Sequence, residues 1–210
     1  MEVSNIGRPS NAKKRLVETA LTLIRSHSYG SVSVDELCSE AGVTKSSFYH
    51  FFASKRDLTL AALDYFWQSF QEICLLPAFA AEIPPERRIP HHFDLIFEAQ
   101  HRKWIECGHV LGCFGGNMAV EMSTQDEIIR ARVASICDKW STYFEQALRE
   151  AIAQGALPDT LDPTATAQAI LAYIEGVLLL AKSYNSPEVI ARLRPGVLSL
   201  MHVEENRNYH

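Results

Sequence analysis

Apolar residues recur along this chain with the period of a helix and almost nowhere with that of a strand. Val17, Ala20, Leu21 and Ile24 fall at i, i+3, i+4 and i+7, which predicts an amphipathic helix from about Ala12 to His27. Ser33-Val-Asp-Glu36 has the form of a capping box, and the helix it opens sets Val34, Leu37, Cys38 and Ala41 on one face. Gly42 stops that helix, because glycine takes the left-handed conformation without steric cost. Thr44 then caps a third helix and Ser54-Lys-Arg-Asp57 starts a fourth, with Val43 dropping into the core between the second and third.

The same reading continues to the C-terminus. The fourth helix is expected to run to about Leu76, and a proline-rich connection from Pro77 to Pro90 to separate it from a fifth over roughly His92 to Glu106. Thr124-Gln-Asp-Glu127 looks like another capping box. It precedes a long helix whose stripe is Ile129, Val133, Ile136, Trp140, Phe144 and Ala147, ending before Gly155. Asp162-Pro163 and Ser186-Pro187 each supply a cap and a first-turn proline for the last two helices. Pro195-Gly196 is expected to kink or end the last one. The fold class expected is all-α: an N-terminal three-helix helix-turn-helix domain followed by a helical ligand-binding and dimerisation domain.

Composition narrows the functional class. The 210 residues are 47% apolar and 21% charged, as in soluble globular proteins. No signal-peptide pattern opens the chain, and the most apolar run, Ile174 to Ala181, is short and interrupted by Glu175. Five cysteines without a regular framework fit a reducing compartment, so a cytoplasmic protein is expected. The net charge of −5 is unevenly spread. The first sixty residues carry eight Lys/Arg against six Asp/Glu, and the remainder twelve against nineteen. The two-charge excess in front is too small to decide anything alone.

The stretch GVTKSSFYHFFASK, Gly42 to Lys55, carries the sharpest signal. On the third helix Phe48, Phe51 and Phe52 fall at i, i+3 and i+4 and should face the core, which turns Lys45, Ser46, Ser47, Tyr49 and His50 outward. Short hydroxyls and a lysine at a helix N-terminus suit base edges and phosphates in a major groove. Tyr49 and His50 have the reach to bond flanking phosphates, and Lys55 begins a helix where an anion is already favoured. The competing reading is an ordinary solvated face.

Residues 12–58, ending AGVTKSSFYHFFASKRDL, resemble the DNA-binding domain of the tetracycline-repressor (TetR) family. The match lies at Ala41, Gly42, Val43, Tyr49, His50, Phe51, Phe52, Ser54, Lys55 and Leu58. The resemblance implies a recognition helix from Thr44 to His50, phosphate contacts by Tyr49, Lys55 and the capping Ser33, and a hydroxyl at Ser47 where the family often has glycine. Gly7-Arg-Pro9 followed by Lys13-Lys-Arg15 is similar to an arm that some members lay in the minor groove, with Arg8 its leading residue; a disordered basic tail is the alternative. The domains expected are 1–53, with 1–11 a flexible arm, and an effector-binding and dimerising body over 54–210.

Within that body, Ala169, Ala172 and Gly176 are small residues at helical spacing. With Ile190 and Leu193 they could build an intersubunit four-helix bundle or an internal one. The resemblance favours a homodimer on a palindromic operator in double-stranded DNA. The segment from Glu106 to Asn117, with four glycines in twelve residues, places Cys107, His109 and Cys113 on an irregular backbone. Three readings stand open: a thiol at Cys113 activated by the following helix N-terminus, a metal set with His101 whose spacing matches no standard zinc site, or small buried fillers. Cys107 beside His109 rivals Cys113. The stretch through Asn117 resembles a family branch that senses electrophiles or small unsaturated acids. Phe66, Trp104, Trp140 and Tyr173 are aromatic candidates for an effector cavity, against a plain core role. The sequence holds no phosphate loop, nucleophile elbow or paired carboxylates. The expectation is an effector-responsive repressor, not an enzyme, with no cofactor or metal; a helical interaction module is the alternative.

Overall fold

The structure is a computed structural model and describes residues 9–202. Among the described residues every regular element is helical: α1 Pro9–Ser26, α2 Val34–Ala41, α3 Lys45–Phe51, α4 Lys55–Phe70, α5 Leu76–Ala78, α6 Pro85–Cys107, α7 Phe114–Met122, α8 Glu127–Ala153, α9 Pro163–Ser183 and α10 Glu188–Leu200. The chain divides into two compact units. One takes the residues up to Gln68 together with Asn117–Val133, and the other takes Ser69–Gly116 and the residues from Ala134 onward.

In the first unit α1 packs on α2 and α3 around Leu16, Ala20, Leu37 and Phe48, all fully buried. The expected capping box is complete: the Glu36 backbone N–H donates to the Ser33 hydroxyl at 3.1 Å, and the Glu36 carboxylate accepts from the Ser33 N–H. Gly42 closes α2 at φ +62°, and the Arg15 guanidinium donates to the Ala41 and Gly42 carbonyls, pinning that turn to α1. Segment 117–133 belongs to the same body. Arg56 pairs with Asp126 and Arg132 with Asp64, while Tyr65 donates to Glu18 at 2.8 Å.

Several boundaries differ from the sequence expectation, each for a physical reason. Helix continues past Phe70 through a π-helical turn, Gln71–Leu75, into α5, so the helical path reaches Ala78. Pro85 rather than His92 opens α6, and Pro90 lies inside it. That proline forgoes one backbone bond, but Ile89, Pro90, His92 and Phe93 are all buried by the continued helix. Asp126, not Thr124, caps α8, accepting from the Ile128 and Ile129 N–H groups. Asp162 caps α9 as expected, whereas Pro187 itself takes the N-cap position of α10. Pro195 and Gly196 do not end α10, which runs on to Leu200. The Tyr173 ring occupies the space where a Cβ on Gly196 would sit, and its hydroxyl donates to the Leu193 carbonyl at 2.6 Å.

The core of the second unit centres on His92. Trp140 donates its indole N–H to His92 Nε2 at 3.0 Å, so Nδ1 carries the proton and donates to the Cys74 carbonyl at 2.9 Å. Rings of Phe70, Phe79 and Phe144 surround the imidazole. α9 is long and apolar enough to cross a bilayer by length and composition, yet it lays Ala167, Ile170, Ile174, Val177, Leu178 and Ala181 into this core.

Burial holds His92 neutral, lowering its pKa to about 4. Because the folded pKa lies below the unfolded value near 6.5, the unfolded chain binds the extra proton first. This contribution is therefore complete above about pH 6.5 and is lost as pH falls toward 4, on the order of 3 kcal/mol over the window. His92→Gln should keep an acceptor for Trp140 and flatten that part of the profile. Urea melts between pH 7.5 and 4.5 check this; equal slopes for both proteins would show that His92 does not set it.

Candidate nucleic-acid interface and effector site

Thr44 is the N-cap of α3: the Ser47 N–H donates to its hydroxyl at 3.1 Å, and that hydroxyl donates on to Ser47 Oγ. Phe48 is completely buried and Phe52 nearly so, while Phe51 is half-buried rather than fully in the core. This fixes the helix's rotation. Thr44, Lys45, Ser46, Tyr49 and His50 stand exposed together, with Ser47 half-covered beside them. The Tyr49 ring rests edge-on against Phe48, so its hydroxyl is held out from a fixed base. The Lys45 ammonium pairs with Asp35 of α2 at 2.6 Å, which raises its pKa. Both partners are well exposed, so DNA phosphates or base edges compete with a weak restraint.

Two neighbouring residues, Lys55 and Arg15, are engaged inside the domain rather than standing free. Lys55 is half-buried and donates to the Tyr29 and Val32 carbonyls at 2.8 and 2.9 Å, with its ammonium 4.1 Å from the centre of the Tyr29 ring. Burial lowers its pKa, against a raising influence from Glu121. Lys55 therefore braces the α1–α2 loop. Arg15, read as part of the basic arm, pins the α2–α3 turn. Ser33 accepts from the Glu36 N–H as the expected cap, which leaves its hydroxyl proton free to donate. Arg8 lies outside the described residues.

Sequence reasoning passed over Glu121 of α7. Its two carboxylate oxygens accept from the Tyr29 and Gly30 N–H groups at 2.8 and 2.7 Å. One loop is thus held by a cation on its carbonyls and an anion on its N–H groups. No local pattern marks Glu121; the contact spans some ninety residues.

In the second unit Cys113 stands immediately before α7, as expected, but it is buried. Its sulfur accepts from the Gly116 N–H at 3.4 Å. The thiol also bonds the Glu175 carboxyl of α9, which lies so close to Gly116 that a Cβ there would overlap it. Burial raises the Glu175 pKa, and the Cys113 hydrogen bond works against that rise. Glu175 was visible in the sequence only as a charge interrupting the most apolar run. Cys107 is exposed, and its thiol donates to the Lys103 and His109 carbonyls rather than pairing with the His109 imidazole. Burial pushes the Cys74 thiol up to about 12. Among the described residues no group of three His, Cys, Asp or Glu side chains is placed to hold a metal ion.

The remaining effector candidates are divided between the two units. Phe66 is in the core of the first unit, and Asn117 is half-buried in the segment that joins it. Trp140 is committed to His92, and Tyr173 to Leu193. Trp104 is 38% exposed and stacks on His101. Of the small-residue stripe, Ala169, Ala172 and Gly176 lie on the exposed side of α9 with Leu179 and Leu180. Leu193 is half-buried. Ile190 is fully buried within its own chain and belongs to the core, not to an exposed face.

Comparison with known proteins agrees with this geometry. Residues 16–62 match the model for bacterial regulatory proteins of the tetR family, and residues 95–197 match the tetracyclin repressor-like C-terminal domain. The transcriptional regulator AcuR of Cereibacter sphaeroides is 31% identical over 87% of this chain and 84% of its own length. The HTH-type transcriptional repressor DhaR of a Mycobacterium species is 26% identical over 84% and 85% of the two chains. A crystal structure of regulatory protein TetR from Rhodobacter sphaeroides superposes with a TM-score of 0.81 at 30% identity, covering 89% of this chain and 96% of that one. With a capped α3 presenting its polar face from a helix-turn-helix frame, this chain belongs to the TetR family and is a DNA-binding transcriptional regulator.

Proposed function

We propose that the protein is a cytoplasmic homodimeric repressor that leaves a palindromic operator when a small effector is received at the Cys113 loop. The exposed set Thr44, Lys45, Ser46, Tyr49 and His50 on one capped helix supports the DNA half of this reading most directly. Ser47 adds a hydroxyl at the edge of that face. Two such helices related by a two-fold axis read two half-sites, which is why a dimer and a palindrome go together. The exposed stripe Ala169, Ala172 and Gly176, extended by Leu179 and Leu180, supports α9 as the dimer face. The effector acts by population shift: it binds more tightly to the low-affinity arrangement of the dimer and draws the protein off DNA. Cys113 with Glu175 is the best-built chemical feature for receiving it, and DhaR, a relative, is itself described as a repressor.

Contacts on α3 are separable by their sequence dependence. Tyr49→Phe should weaken binding to all duplexes by a similar factor, because a lost phosphate contact carries no base information. Lys45→Ala should instead narrow the difference between the preferred and altered base at particular positions by roughly five- to a hundred-fold. Titration of both variants against a duplex selected from a random pool, and against its single-base variants, decides the matter. A uniform loss for Lys45→Ala would remove its reading role.

Gly176 has no atom within 4 Å of the position a Cβ would take, so the protomer accommodates a side chain there. Gly176→Leu should therefore fold normally yet overfill a close helix crossing between subunits. Sedimentation should show a monomer, with operator binding weakened accordingly. A dimer of normal affinity would place the interface away from this stripe.

A further inference from the structure

The two helices of the helix-turn-helix carry an acidic balance for parts that meet DNA. α2 holds Asp35, Glu36 and Glu40 and no lysine or arginine, and Lys45 is the one such cation on α3. Glu36 is committed to the capping box. Asp35 instead reaches across the turn, and its carboxylate lies 2.6 Å from the Lys45 ammonium. Asp35 belongs to the first turn of α2, where the helix macrodipole favours an anion. The carboxylate thus has a reason to stay in place that does not depend on the lysine.

The pair adds little to stability, because both side chains are well exposed. Its consequence is for binding. Seen from a phosphate a few ångströms further out, the two charges nearly cancel, so Lys45 contributes little to the counterion release that drives non-specific association. To reach a phosphate the ammonium must abandon Asp35 and leave two anions facing each other. A base edge makes no such demand. The guanine N7 and O6 are uncharged acceptors, and an ammonium has three donors, so Lys45 can keep Asp35 while donating to a base. Thr44, Ser46, Ser47 and Tyr49, its neighbours on the face, bring no positive charge to offset the carboxylate.

We propose that Asp35 is a specificity-determining residue of the DNA interface: its carboxylate keeps the Lys45 ammonium off the phosphates and directs it to a base edge. The inference rests on the reading of Lys45 as a base contact. A lysine without this neighbour would tighten binding to every duplex, since phosphates are the same in all of them. With it, affinity for arbitrary DNA falls while a site offering the right acceptor keeps its contact. Discrimination then comes from a repulsive element as much as from an attractive one. Asp35 acts through Lys45 and is a positioning residue, not a contact.

The test removes the charge and keeps the shape, with Asp35→Asn. The full-length protein is titrated across a range of salt concentrations against a duplex selected from a random pool and against a scrambled duplex of the same composition. Affinity for the scrambled duplex should rise by roughly ten-fold, with a salt slope steeper by about one per protomer. The selected duplex should gain less, so that the ratio of the two affinities falls by about five-fold. Asp35→Glu, which keeps the carboxylate, should hold the ratio near that of the parent. In a Lys45→Ala background Asp35→Asn should leave the ratio unchanged, because the effect passes through the lysine; melting curves establish that the variants are folded. Equal gains on both duplexes, or a ratio that still falls in the Lys45→Ala background, overturn the role of Asp35. A uniform loss in Lys45→Ala alone overturns the base contact on which that role rests.

Discussion

The DNA-binding head is organised by the opposed grip of Lys55 and Glu121 on one loop. The ammonium takes the carbonyls of Tyr29 and Val32, and the carboxylate takes the N–H groups of Tyr29 and Gly30. Backbone groups in this loop lie outside any helical ladder, and unsatisfied groups of this kind carry a penalty comparable to a lost hydrogen bond. Fixing it fixes Ser33, the residue after Val32, and through the capping box the start of α2. From there the geometry is inherited. Gly42 turns the chain, Arg15 ties the turn to α1, and Thr44 launches α3 with Phe48 inward. Of the exposed residues on that face, Thr44 takes part in this chain of contacts, as the cap.

The local part of this design was legible in the sequence. Ser33, Gly42, Thr44, Ser54 and Asp162 act where their positions said they would, because a cap or a left-handed stop is decided within four residues. The stripe on α8 was equally legible, since Ile129, Val133, Ile136, Trp140, Phe144 and Ala147 are all buried. Failures came where a distant partner overrides a local preference. Pro90 and Pro195 read as breakers, but the helices continue because of what they bury or dock beyond them. Lys55 read as a phosphate contact, whereas its ammonium is taken by carbonyls 23 and 26 residues away. Ile190 read as an interface residue because periodicity shows which face is apolar, not which neighbour covers it.

The candidate site divides along the same line. The outward set on α3 followed from phenylalanine spacing alone, whereas the chemistry around Cys113 needed three separate segments brought together. Gln100, Cys113 and Glu175 lie on α6, the following loop and α9. A thiol in a glycine-rich segment drew attention in the sequence, and the structure buries it rather than leaving it open. Its neighbours, not its own position, decide what it can do.

Three glycines in the second unit illustrate how differently one residue type is constrained. Gly176 has open space where a side chain would be, while Gly116 and Gly196 have theirs filled by the Glu175 carboxyl and the Tyr173 ring. The last two are halves of pairs. A chain descended from this one could not acquire a side chain at 116 or 196 and keep the same long partner in place. Substitution histories at 116 and 175, and at 196 and 173, are therefore tied, so that divergence at either glycine must be accompanied by shortening or redirection across the helix pair. Position 176 is under no such bond among the described residues, so its history is independent of those two pairs.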